Sequence, residues 1–225
     1  AVGWFVFSVV LAKLSPTMIV PLFYKVEPLD DAELLGRLAR LTANTSLKIT
    51  GLYRIKLHKK TIGATAMLVG FGKARKILLS ETLLASLTPD EIEVVLAHEI
   101  GHHVYRHLLK HLVVGFSITL ATFYLCHRAM PHSWSQIPVY TLAMILLIIT
   151  LSNRLLGPVA NAFGRHFERQ CDRYALDQTN LKTAYRSAFL KLVVLNKTDL
   201  NPHPLEVVLF HSHPPIAKRL AMADE

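Results

Sequence analysis

The stretch His98–His111 (HEIGHHVYRHLLKH) carries five histidines in fourteen residues. They fall into two series at a spacing of four: His98 with His102, and His103 with His107 and His111. Glu99 follows the first histidine and completes the pattern H-E-x-x-H. Residues four apart share one face of a helix, so both imidazoles of the first series can reach a single ion, and zinc suits such donors. Glu99 stands beside them, where it can take a proton from water that the ion acidifies. The second series lies about 100° around the helix, and Val104 occupies the place of its general base. The metal is therefore assigned to His98 and His102, and the second series reads as the helix's passage toward an apolar run.

A catalytic zinc needs a third protein ligand and one open position. The elements around the motif indicate where that ligand comes from. Thr88-Pro89-Asp90-Glu91 combines an N-cap, a proline at the first helical position and the glutamate of a capping box. No proline follows until Pro131, so the spacing predicts one helix running through the histidines into Leu112–Met130. That run and Ile137–Ser152, extended through Leu155–Val159, are nearly free of charge. About 20 apolar residues cross a bilayer core, so the two read as a membrane hairpin; a buried hairpin in a soluble protein is the alternative. If the hairpin turns near Ser133, His98 and His102 lie 35 and 31 residues before the turn and Glu168 lies 35 after it. Equal helical rise then brings them to similar depth. Asp172, four residues beyond Glu168, shares its face, which suits one carboxylate as a ligand and the other as the partner of a ligating histidine. An acidic pair on a surface helix is the alternative.

The chain of 225 residues is 52% hydrophobic with a formal net charge of +9. No groove-reading motif accompanies that charge, so nucleic acid is not expected as a partner. The basic residues flank the apolar runs instead: Arg106, Lys110, Arg154, Arg165, Arg169 and Arg173 on the outer sides, and only Arg128 in the connection His127–Gln136. By the positive-inside rule, the outer flanks face the cytoplasm. Cys126 and Cys171 match no metal or redox spacing. Ala1–Ala12 reads as the end of a membrane helix, closed by Pro16 and Pro21. Asp30–Thr42 is an amphipathic helix with Leu34, Leu35, Leu38 and Leu41 on one face. Leu52–Leu57, Ala64–Val69 and Lys76–Leu79 read as strands, the last two joined by a turn at Gly70–Lys73, and Thr183–Leu195 as a helix.

Several stretches in order resemble the type I CAAX prenyl proteases, integral-membrane zinc metallopeptidases related to bacterial heat-shock membrane proteases. They are PLFYKVEPL (Pro21–Leu29), GFGKARKILLSETLL (Gly70–Leu84), LTPDEIEVVLAHEIGHH (Leu87–His103), NAFGRHFERQCDRYAL (Asn161–Leu176) and HSHPPIAKRL (His211–Leu220). The resemblance implies one Zn2+ held by His98, His102 and Glu168, Glu99 as general base, and Asp172 as the carboxylate behind a ligand. It also implies that His213 and Arg219 face the substrate and the developing oxyanion. The family carries Asn-Ala on an edge strand that binds substrate backbone; here Thr65-Ala66 stand there, with a hydroxyl in place of the carboxamide. The N-terminal spans with which full-length members close an intramembrane chamber have no counterpart in this sequence; either they were cut away or this member builds its cavity differently.

The expected fold is a mainly α membrane protein with a small β-sheet, an α+β gluzincin-like catalytic part continuous with a transmembrane helical hairpin. Residues 1–23 would end a membrane helix, 24–111 hold a helix, the sheet and the H-E-x-x-H helix, 112–157 form the hairpin, and 158–225 complete the site. The expected activity is a zinc metalloendopeptidase in a bilayer, cutting prenylated CAAX-type C-termini or membrane proteins under quality control. The alternatives are a membrane metal transporter or sensor, and an inactive zinc-stabilised scaffold.

Overall fold

The computed structural model describes residues 2–14, 20–56, 63–70, 74–130 and 140–225. Helix α1 (Val2–Leu14) and the short α2 (Val20–Phe23) precede strand β1 (Lys25–Pro28), helix α3 (Ala32–Thr42), and strands β2 (Lys48–Lys56), β3 (Ala66–Val69) and β4 (Ala74–Ser80). Seven helices follow: α4 (Glu81–Ser86), α5 (Pro89–Val104), α6 (His107–Ala129), α7 (Tyr140–Thr179), α8 (Lys182–Asn196), α9 (Pro204–Phe210) and α10 (Ile216–Ala221). The mainly helical fold with a small sheet is the one expected. Pro16, Leu57, the turn residues 71–73 and Ser133 lie outside the described residues, and Pro21 falls inside α2.

The sheet has the order β1-β2-β4-β3, with β2 and β4 parallel at its centre and both outer strands antiparallel. One face carries Leu52, Ile77 and Leu79 into the main core, which they share with Leu34, Leu38 and Leu41 of α3, Leu96 and Ile100 of α5, and Tyr185 and Phe189 of α8. Leu35 was expected on the buried face of α3 but is exposed. Three leucines already fill the stripe that meets the sheet, and Leu35 falls just beyond its edge.

Helix α5 starts as its sequence requires. Thr88 accepts a hydrogen bond from the Glu91 N–H, the Glu91 carboxylate accepts one from the Thr88 N–H, and Pro89 takes the first turn. Its close partner is α7: a Cβ added to Gly101 would lie 3.3 Å from Cys171 Cα, so the bare backbone of Gly101 lets the two helices approach.

The single helix expected from Thr88 into the apolar run is broken. Tyr105 ends α5, Arg106 adopts the left-handed conformation (φ 54°, ψ 40°), and α6 begins at His107. Burial explains the break. His107 is 1% exposed, its ring stacked 4.5 Å from Phe167 of α7, a position it reaches only if the chain turns before it. His107 meets Gln170 and His111, later in α6, meets Phe167, earlier in α7, as expected of antiparallel helices.

Helices α6 and α7 are long and apolar enough to cross a membrane, with windows of mean hydropathy 1.6 and 1.8. Leu109, Val113, Phe123, Leu142, Leu146 and Leu151 on them are exposed. An apolar surface of this extent fits a lipid environment rather than water. Helix α1 packs beside α6, with Phe5 and Phe116 rings 4.3 Å apart.

A second close approach fixes the segment after α9. A Cβ on Gly164 of α7 would lie 2.8 Å from the Ser212 carbonyl oxygen. Gly164→Ala is therefore expected to cost about 1–3 kcal/mol through overpacking. Thermal unfolding in detergent measures this as a lowered Tm; an unchanged Tm would show that the 211–213 segment yields freely.

Candidate metal centre

Helix α5 points His98, Glu99 and His102 toward the return helix α7, which presents Glu168 and Asp172 one turn apart. His98 Nε2 and His102 Nε2 are 3.2 Å apart. Glu168 lies against both, with Oε2 3.3 Å from His98 Nε2 and Oε1 3.4 Å from His102 Nε2. Four-coordinate zinc with bonds of about 2.0–2.1 Å has ligand-to-ligand edges of about 3.3 Å, so the three donors fit that ion. The structure thus brings together all three residues read as ligands from the sequence.

The remaining nitrogen of His98, Nδ1, lies 3.0 Å from Asp172 Oδ1. Asp172 is fully buried and receives the guanidinium of Arg219 as a fork, Nε to Oδ2 at 2.8 Å and Nη2 to Oδ1 at 2.6 Å. Arg219 is itself 6% exposed, 4.1 Å above the Phe189 ring. Burial would lower its pKa, but the Asp172 carboxylate reverses that and raises it, which keeps the pair ionised. Burial alone would likewise lower the pKa of His98; hydrogen bonds to Asp172 and Glu168 raise it instead to about 9.

Glu99 is half-buried, lines the cavity, and makes no hydrogen bond among the described residues. Burial raises its carboxyl pKa, against the pull of His98 and His102. Such a group is a proton acceptor that can also give its proton back. His213 enters from the segment between α9 and α10, with Nε2 3.3 Å from Glu168 Oε1 and Nδ1 3.0 Å from Ser212 Oγ. Its side chain is 61% exposed, so it is the more accessible donor, while the Arg219 fork is held by Asp172.

His98, Glu99 and Glu168 open into a cavity of about 530 Å³, which Thr65 and Ala66 also line. Strand β3 borders it through Ala66, and among the described residues the edge of β3 away from β4 has no strand partner. Thr65 turns its backbone inward: its N–H donates to Ser80 Oγ and its carbonyl accepts from the Ser80 N–H, both at 3.0 Å. Backbone groups alternate along an antiparallel strand, so Ala66 and Leu68 turn theirs toward the open edge. At Ala64 the edge is closed: Asn196 Oδ1 accepts its N–H at 3.0 Å. Sequence reasoning missed Asn196, because nothing local links positions 132 residues apart.

It also misplaced His107. The break at Arg106 takes His103 off the face that His107 and His111 still share, and His107 Nδ1 lies 3.1 Å from His102 Nδ1. Cys171 Sγ is 3.4 Å from the same nitrogen of His107.

The chain is 27% identical to a Bacillus subtilis protein described as an uncharacterized metalloprotease, YhfN, over 97% of this chain and 54% of that protein. It is 29% identical to CAAX prenyl protease 1 of Saccharomyces cerevisiae, over 98% of this chain and 54% of the relative. The chain thus spans about half the length of the curated relatives it matches. The crystal structure of S. mikatae Ste24p superposes with a TM-score of 0.87 at 25% identity, over 100% of this chain and 57% of that one. The sequence model of peptidase family M48 matches residues 28–225, and the chain belongs to that family.

Proposed function

We propose that this chain is the catalytic part of a membrane zinc metalloendopeptidase. The observation that carries this reading is the convergence of His98, His102 and Glu168, mutually 3.2–3.4 Å apart, beside the unbonded carboxylate of Glu99. A zinc ion held by those three residues supplies Lewis acidity to the scissile carbonyl and acidifies water. Glu99 takes the proton from the attacking water and returns it to the leaving amine. His213, exposed at the cavity mouth, donates to the oxyanion as charge develops. Arg219 supports that charge mainly through Asp172, which it holds in place against His98. An extended peptide adds to the free edge of β3, pairing with Ala66 and Leu68 while Thr65 borders it.

The exposed apolar helices α6 and α7 support a multi-pass protein in a lipid bilayer, and the basic outer flanks support a site facing the cytoplasm. The similarity to CAAX prenyl protease 1 supports prenylated CAAX-type C-termini as substrates. Membrane proteins under quality control are the second substrate class.

In detergent, prenylated and plain CAAX peptides and an unfolded membrane protein should be incubated with the chain, and cuts mapped by mass spectrometry with and without chelator. Cleavage is expected to be metal-dependent and strongest on the prenylated peptide. Glu99→Ala should retain its zinc while losing about 10²–10⁴-fold in kcat. Equal cleavage by that variant would eliminate Glu99 as the base, and metal binding without any cleavage would establish a scaffold.

Arg219→Ala leaves the buried Asp172 carboxylate without its cation. Its expected cost is about 3–5 kcal/mol of stability. A Tm equal to that of the unaltered chain would contradict the buried pairing.

A further inference from the structure

From the hydrogen-bond chain behind His102, we infer that His107 is the positioning residue for that ligand, as Asp172 is for His98. The inference rests on the reading of His98, His102 and Glu168 as the metal site.

The direction of the chain follows from its last member. His107 Nε2 lies 3.0 Å from Gln170 Oε1, a carbonyl oxygen that can only accept, so Nε2 carries the proton. In the neutral ring Nδ1 is then a lone pair. It lies 3.1 Å from His102 Nδ1, nearer than Cys171 Sγ at 3.4 Å, and accepts the proton His102 holds. With its proton on Nδ1, His102 turns the Nε2 lone pair toward His98 Nε2 and Glu168, the tautomer a metal ligand needs. His98 reaches the same tautomer by donating from Nδ1 to Asp172. The two ligands are thus held by unlike partners, one anionic and one neutral.

The backbone is shaped for this contact. On an uninterrupted helix His107 would lie about 140° around from His102, five residues earlier. The left-handed residue Arg106 folds it back instead. Its ring is then clamped between Phe167, 4.5 Å away at 14°, and Tyr105, 5.6 Å away at 22°. A side chain 1% exposed and stacked near two aromatic rings has little freedom to point elsewhere.

His102, His107 and Cys171 could themselves be read as a second metal group. The tautomer chain opposes that reading, since it engages both His107 nitrogens, with His102 Nδ1 nearer to His107 Nδ1 (3.1 Å) than Cys171 Sγ is (3.4 Å). The two arrangements give different metal stoichiometries.

The test titrates the chain in detergent with zinc against a competing chelator, and with cobalt(II) as a spectroscopic substitute. His107→Phe keeps the ring stack and removes the acceptor; His107→Asn places an oxygen near the position of Nδ1. One equivalent is expected in all three proteins. Affinity should fall about 10–100-fold in His107→Phe and recover to within about threefold of the unaltered chain in His107→Asn. Circular dichroism and Tm verify that His107→Phe is folded. Equal zinc affinity in His107→Phe, or equal loss in both variants, would overturn the inference. A second cobalt equivalent with a thiolate charge-transfer band would overturn it in favour of the Cys171 site. Failure of the unaltered chain to bind either metal would instead refute the proposed metal centre, and this inference with it.

Discussion

The candidate site depends on one buried carboxylate. Asp172 has no exposure, and an ion placed there without partners would be costly enough to neutralise or unfold. It is tolerated because Arg219 of α10 meets it with two nitrogens and His98 of α5 with a third. Those contacts join α5, α7 and α10, whose residues lie far apart in the chain. The same contacts set the orientation of His98, so the condition for burying Asp172 is also the condition for aiming a metal ligand. Arg219 therefore belongs to the site's architecture as much as to its chemistry.

Close helix packing is the second requirement. Gly101 lies between the two ligating histidines and opposite Cys171, where a side chain would meet the backbone of α7. Without that approach Glu168 would not lie within 3.4 Å of both imidazoles. The third element is the edge of β3, which borders the cavity because the sheet order places β3, rather than β1, beside α5. A hydrolytic centre needs a way to hold an extended chain across it, and an unpaired strand edge does so through the backbone, whatever the substrate's side chains.

What could be read before the structure follows from the range of each interaction. The capping box at Thr88–Glu91, the face shared by His98 and His102, and the strands were legible because their determinants lie within a few residues. Glu168 was expected from counting helical rise outward from a turn near Ser133, which lies outside the described residues, and the family resemblance named it as well. Arg106 defeated the same counting. A non-glycine residue in the left-handed region carries no compositional signal, and a continuous helix was expected where the chain turns. His107 was consequently grouped with His103, from which the break separates it, while His111 keeps its place one turn along α6. Asn196, His213 and Arg219 reach the site from separate segments, and only resemblance to a family singled out the last two.

The break at Arg106 also separates two jobs that a continuous helix would have joined. Helix α5 is buried against the sheet and α8, and its rotation is set by that core. Helix α6 exposes Leu109, Val113 and Phe123, and its rotation is set by the apolar medium and by α7. A rigid connection would force one rotation on both, so any accommodation of α6 to its surroundings would turn His98 and His102 away from Glu168. With Arg106 as a joint, the ligands stay in register with the core. The contact of His107 with His102 then restores a link across the joint, made through a side chain and limited to one nitrogen of one ligand.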